Sequence, residues 1–79
     1  MTTKRLLRLG GIYRHFKGGE YMALTTAKHT ETGEALVIYA SMSGGQDHWA
    51  RPYDEFMSEV DREKYPEANQ KYRFILVEE

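Results

Sequence analysis

Three histidines, His15, His29 and His48, carry the broadest chemistry in this chain of 79 residues. Together with Glu31 they form a set of nitrogen and oxygen donors that suits a transition metal. A metal-dependent hydrolase using His15, His29, His48 and Glu31 is therefore one function to consider. Their spacing argues against it, because no two of them form H-x-H or H-E-x-x-H. A nucleophilic triad needs a base beside Ser or Thr and a carboxylate to orient that base. Thr30 and Glu31 adjoin His29, but sequence neighbours on a tight turn cannot face one another in that geometry. Cysteine is absent, which removes thiol nucleophiles, zinc-thiolate sites, disulfide scaffolds and redox switches. No residue is assigned a catalytic role, and no cofactor is expected. The pairs Gly18-Gly19 and Gly44-Gly45 lack the Lys-Ser/Thr and helix of a phosphate loop and the dinucleotide spacing, so they read as turns.

A different set is more suggestive. Tyr21, Tyr39, Phe16 and His29 are expected on one sheet face, and Trp49 and Arg51 flank Ala50 so that both point to one side of a neighbouring strand. Aromatic rings with Arg and His can stack a planar group and pair with an anion. The plainer account is that Trp49 fills the core and Arg51 pairs with Glu55 or another acid.

Glycine-bearing breaks position these residues. Gly10-Gly11, Gly18-Gly19, Gly33 and Gly44-Gly45 separate short segments rich in Tyr, Val, Ile, Thr and Phe, the pattern of antiparallel strands. The segments are Ile12 to Phe16, Glu20 to His29, Ala35 to Met42 and His48 to Arg51. A two-residue turn at Gly18-Gly19 would pair Lys17 with Glu20, Phe16 with Tyr21 and His15 with Met22. A three-residue loop with Gly33 left-handed and a bulge would set Thr30 opposite Glu34 and Thr26 opposite Ile38.

With a side-chain period of two, these registers put Tyr13, His15, Met22, Leu24, Thr26, Leu36 and Ile38 on one face. Ile12, Phe16, Tyr21, Ala23, Ala27, His29, Val37 and Tyr39 fall on the other. The aliphatic first face is expected to be the core. His15 and His29 then point to opposite faces. Pro52 opens a helix of about two turns with Tyr53, Phe56, Met57 and Val60 as its buried stripe. Residues 61–70 are polar and broken by Tyr65-Pro66, and Lys71 to Val77 is a last strand. The expectation is a mainly β, five-stranded antiparallel SH3-like barrel, with one short helix before the last strand. It spans residues 1–79 as a single domain, with a loop and C-terminal strand over 61–79.

The formal charge of −1 hides an uneven layout. Residues 1–19 hold Lys4, Arg5, Arg8, Arg14 and Lys17 and no acid, whereas residues 52–79 hold four bases and eight acids. Either the basic end attracts anions, or the two ends lie together and neutralise. No apolar run approaches a signal peptide or a membrane span, so the chain is expected to be cytoplasmic, with no membrane partner.

The run Tyr13-Arg14-His15-Phe16-Lys17-Gly18, then Tyr21, Ala27-x-His29-Thr30-Glu31-Thr32-x-Glu34, Val37-x-Tyr39 and Trp49-x-Arg51-Pro52 with Phe56 and Val60 resembles domain-of-unknown-function family 1653 (DUF1653). The resemblance covers residues 11 to about 60. It departs at Met42-Ser43, where the family often has Leu-Tyr, and in a tail longer than usual. It implies a small bacterial domain whose signature residues correspond to His15, Lys17, His29, Glu31, Tyr39, Trp49 and Arg51, a set that looks more like a ligand site than a core. The leading expectation is a non-enzymatic binding module for a planar or anionic ligand such as a nucleotide or nucleic-acid segment. A peptide or protein adaptor is the alternative, since aromatic grooves on small barrels take extended segments. Apolar residues on both sheet faces would allow a homodimer.

Overall fold

Five runs of β-branched and aromatic residues extend into strands: β1 (Ile12–His15), β2 (Glu20–Lys28), β3 (Ala35–Ser41), β4 (His48–Pro52) and β5 (Phe74–Glu78). One short helix, α1 (Tyr53–Phe56), follows β4. The computed structural model describes residues 5–45 and 47–78; Lys4 of the basic N-terminal stretch and Gln46 of the β3–β4 loop lie outside the described residues. The strands form one antiparallel sheet in the order β4-β3-β2-β1-β5. The edge strands β4 and β5 are not bonded to each other, so the sheet does not close. The fold is thus mainly β, five antiparallel strands and a short helix, without the closure expected of a barrel.

Both hairpin registers differ from expectation, and the turns explain why. In the first, the His15 carbonyl accepts the Gly18 N–H (2.8 Å) and the His15 N–H reaches the Gly19 carbonyl (3.0 Å). The turn thus holds Phe16, Lys17 and Gly18, and Gly18 and Gly19 sit at φ +101° and +86°, which only glycine adopts freely. Arg14, not Lys17, then faces Glu20, with an ion pair of 3.6 Å. The shift is three residues, an odd number, so Tyr13 and His15 move to the face of Tyr21 and Ala23. In the second hairpin His29 pairs with Glu34 (N–H to carbonyl, 2.8 Å) around a loop of Thr30 to Gly33. Thr26 therefore opposes Val37 rather than Ile38, and an irregularity between Ala23 and Thr25 sets Ala23 against Tyr39.

The core consequently lies on the aromatic face, not the aliphatic one. Tyr13, Ala23, Val37, Tyr39, Phe56 and Phe74 are its buried members, while Leu24 of the expected core face is exposed. Phe56 brings α1 onto the sheet, and its ring stacks on Phe74 (4.1 Å, 7°) and meets Tyr13 edge-on (5.4 Å). The Tyr13 hydroxyl accepts the Arg8 N–H at 2.9 Å, so this buried polar atom is satisfied.

Two more expectations change at the helix. Pro52 is the N-cap rather than the first helical residue, and α1 is a single turn. The chain leaves the helix because its backbone finds other partners. The Arg73 N–H donates to the Ser58 carbonyl (3.0 Å) and the Val60 N–H to the Lys71 carbonyl (2.8 Å), around a bridge between Glu59 and Tyr72. Val60 is buried as expected, but by this pairing and not by a helical stripe.

The basic N-terminal stretch is largely engaged. Arg5 donates to the carbonyls of Met57 (2.9 Å) and Phe74 (2.7 Å) and lies 3.9 Å from the Tyr72 ring centre. It ties the arm to the segment after α1 and to the start of β5. No helix of the described residues is long and apolar enough to cross a membrane.

Candidate functional site

The unclosed sheet curls until its two edges meet through side chains. Register breaks lie between Ile12 and Tyr13 and between Ala23 and Thr25, and such irregularities bend and twist a sheet. Arg51 of β4 lies 5.4 Å from the ring centre of Phe74 of β5, and Tyr39 of β3 is 5.6 Å from the same ring. Between them is a cavity of about 270 Å³ lined by His15, Tyr21, Tyr39, Trp49, Arg51 and Phe74. Helix α1 packs Phe56 against Tyr13, Tyr39 and Phe74, and Phe56 is not among the residues lining the cavity.

The registers bring these side chains together. Tyr39 pairs with Trp49, and Val37 with Arg51, so Trp49 and Arg51 share a face two residues apart on β4. His15 pairs with Phe74 on the other side. Tyr21 joins the two halves: its ring centre is 6.2 Å from Trp49, 5.5 Å from Tyr39, 6.0 Å from Phe74 and 6.4 Å from His15, each edge-on. Trp49 is 42% exposed, which argues against a purely core role.

Arg51 satisfies the plain account and goes beyond it. Its Nη1 does meet Glu55 Oε2 at 3.3 Å, and its Nε donates to the Tyr39 hydroxyl at 3.2 Å. Those two bonds fix the guanidinium plane. Its Nη2 takes no protein partner among the described residues, so one edge of a positioned guanidinium remains for an acceptor.

His15 is pushed toward its neutral form. Its Nδ1 accepts the Lys17 N–H at 3.1 Å, which places the ring proton on Nε2. Burial lowers its pKa below the ordinary 6.5, and the positive charges of Arg51, Lys17 and Arg73 push the same way. The cavity therefore presents aromatic faces, an imidazole N–H and a guanidinium edge. Its six lining residues include no carboxylate, Ser or Thr. The arrangement can stack a planar group and bind an anion.

Of the residues expected in a site, His15, Tyr39, Trp49 and Arg51 converge here. Lys17 does not line the cavity; its Nζ lies 4.6 Å from the Tyr65 ring centre. His29 and Glu31 sit in the β2–β3 turn, where His29 Nδ1 accepts the N–H of Glu31 (3.1 Å) and Thr32 (3.4 Å) and so organises the loop. His48 is exposed on β4, opposite Ala40. The donor set His15, His29, His48 and Glu31 is thus dispersed, and no group of three His, Cys, Asp or Glu among the described residues could hold a metal. Of the other two lining residues, Tyr21 was named in the suggestive aromatic set but not among the signature residues, and Phe74 was legible only as part of the last strand.

Comparison with known proteins adds a family and no activity. The family described as "Protein of unknown function (DUF1653)" matches residues 11–76. That match runs past residue 60 and takes in most of β5, so the strand that supplies Phe74 is part of the family domain. No curated protein matches the chain. Among solved structures, the crystal structure of a DUF1653 protein from Bordetella bronchiseptica is similar, with a TM-score of 0.70 and 32% identity over 87% of this chain and 86% of the other.

Proposed function

The chain belongs to the DUF1653 family, and on that premise we propose that it is a non-enzymatic binding module for a planar, anionic ligand of the nucleotide type. The observation that carries this reading is the pairing of a 42% exposed Trp49 with an Arg51 whose guanidinium is fixed by Tyr39 and Glu55 and whose Nη2 has no partner among the described residues. A base stacks on the aromatic wall of the cavity and a phosphate oxygen accepts from Arg51. The neutral His15 adds an N–H donor without a charge of its own. Glu55 tempers the positive charge of Arg51 but is half exposed, which leaves it free to yield to a stronger acceptor. The curled sheet serves this module as the mouth of a small SH3-like barrel would, with the ligand between the edge strands β4 and β5.

Titration of Trp49 fluorescence with mononucleotides tests the reading. The expected result is a saturable change that weakens about tenfold or more in Arg51→Ala, the order of a lost charge-assisted hydrogen bond. A flat response to every nucleotide and oligonucleotide, or affinity capture that returns proteins and no nucleic acid, would overturn it in favour of a protein adaptor.

A further inference from the structure

A second cavity, of about 290 Å³, is lined by Phe16, Lys64, Tyr65, Pro66, Glu67 and Ala68. The two are joined by aromatic rings. From Trp49 to Tyr21, His15, Phe16 and Tyr65 the successive ring centres are 6.2, 6.4, 4.7 and 4.9 Å apart. The link exists because His15 and Phe16 are neighbours at the end of β1, one lining each cavity.

Basic side chains accompany the rings. Arg51 stands at the first cavity. Lys17 and Lys64 have their ammonium groups 4.6 and 5.7 Å from the Tyr65 ring centre at the second. Arg73, held by Ser58 through its Nε (3.1 Å), adds its charge to the field at both His15 and Tyr65. The Tyr65 pKa is lowered from 10.0 chiefly by a hydrogen bond from Lys17 to its hydroxyl. Glu67 is the one acid among the residues lining either cavity.

We infer that the two cavities are subsites of one extended groove that binds a single-stranded oligonucleotide, with one base at Trp49 and Tyr21 and a following base at Phe16 and Tyr65. This rests on the reading of the first cavity as a nucleotide site, and specifies its ligand. The chemistry is that of single-strand recognition, in which aromatic side chains stack successive bases and a line of cations follows the backbone. A mononucleotide would use the first cavity alone. A second aromatic cavity within two ring contacts, with two lysines at its rim, has a use only for a longer anionic chain that carries more than one ring. A peptide would have to be both acidic and aromatic at matching intervals.

The experiment compares Trp49 fluorescence titrations with uridine monophosphate and with oligouridylates of two, four and six residues. An acidic peptide of the same charge serves as control. The expected outcome is at least a tenfold gain in affinity from the mononucleotide to the four-residue oligomer. Lys17→Ala and Tyr65→Ala should each remove most of that gain and leave mononucleotide affinity unchanged. Lys17→Ala should also flatten the salt dependence of oligomer binding by about 0.7 in log–log slope, the share of one phosphate contact. Lys17 is exposed, so Lys17→Ala does not threaten the fold. Tyr65 is half-buried and packs on Phe16, so a urea midpoint near that of the wild type checks Tyr65→Ala. Equal affinity for mononucleotide and oligomer would overturn the inference and leave the first site standing, as would equal loss of both in the two variants. Binding of the acidic peptide as tight as the oligomer would overturn it as well, since the groove would then read charge alone. No binding by any nucleotide would remove the first-site reading along with it.

Discussion

In the β1–β2 turn His15 accepts the N–H of Lys17 at Nδ1, and in the β2–β3 turn His29 accepts the N–H of Glu31 at Nδ1, both at 3.1 Å. Each histidine precedes its turn by the same offset and performs the same local task. Their surroundings part company from there. The His15 ring meets Phe74 at 4.8 Å, Phe16 at 4.7 Å and Tyr21 at 6.4 Å, and it lines a cavity. His29 takes part in no ring pair that accompanies its loop bonds, and its strand is exposed from Leu24 to Lys28. The difference comes from outside the turns. Strand β5 pairs with β1 and delivers Phe74 beside His15, whereas at the β2–β3 hairpin the C-terminal half supplies β4, which reaches Leu36 through Pro52, and among the described residues no ring packs on His29. A histidine beside a tight turn is thus a capping residue by default, and it becomes part of a site only where the fold adds a wall.

If Phe74 is that wall, removing it should produce the largest effect. Phe74 is 1% exposed and stacked on Phe56. Phe74→Ala is expected to cost about 3–5 kcal/mol, the usual loss for a buried phenylalanine, and to open the groove around His15. Leu36→Ala, a change of similar kind in the partly exposed outer part of β3, should cost about 1 kcal/mol, since only part of its apolar surface is withdrawn from water. Urea denaturation of the two variants measures the contrast. Equal losses would mean that both turns rest on comparable packing, and the comparison would fail. If Phe74→Ala does not fold, Phe74→Leu keeps most of the volume, and its cost of about 1.5 kcal/mol or less still reads the site through a weakened ligand response.

The paired substitutions His15→Ala and His29→Ala sharpen the same contrast at smaller scale. Each removes an acceptor for a backbone N–H at the surface, a loss of about 0.5–1.5 kcal/mol. His15→Ala also removes edge and tilted ring contacts, each worth about 0.5–1.5 kcal/mol, so it should cost about 1 kcal/mol more than His29→Ala. The functional readout separates them further: nucleotide binding should weaken in His15→Ala and be untouched in His29→Ala. Equal effects of both on binding would return His29 to the site.

The first four strands were legible because Gly10-Gly11, Gly18-Gly19, Gly33 and Gly44-Gly45 punctuate runs with a clear two-residue period; the last was legible from its alternation, but it begins at Phe74 and not at Lys71. The registers were not, because they depend on how many residues each turn encloses. A glycine pair suits a two-residue turn as well as the turn actually formed, and the odd shift carried Tyr13 and His15 across the sheet. That one turn decided which face was core. Trp49-x-Arg51 was legible as a candidate pair, because spacing on one strand survives any change of register. The strand period already set His29 apart from His15, but its separation from Tyr39, Trp49 and Arg51 was hidden, because it depends on which end of the sheet β5 covers. The short helix was overread for a different reason: Val60 continues the apolar stripe, but the backbone of Ser58 and Val60 bonds Arg73 and Lys71 instead.

The smallest expected effect isolates the electrostatic side of the β1–β2 turn. Burial first, and then the charges of Arg51, Lys17 and Arg73, lower the His15 pKa in the folded chain below its unfolded value near 6.5. Above that pH the ring is neutral in both states and contributes no slope. As the pH falls below about 6.5, the unfolded chain takes up a proton that the folded chain refuses. The unfolded state then binds more protons, and stability declines with falling pH. The decline ends once the pH passes the lowered folded value, where both states are protonated. His15→Asn retains an acceptor for the Lys17 N–H and removes the titration. Urea midpoints at pH 7.5 and 5.5 should therefore fall further for the wild-type chain than for His15→Asn. Lys17→Ala should narrow the gap only slightly, because burial outranks its charge. An equal fall in the wild type and His15→Asn would show that the wall built by Phe74 and Tyr21 leaves His15 as well solvated as a histidine on an open turn, and the distinction between the two hairpins would then be one of contact geometry alone.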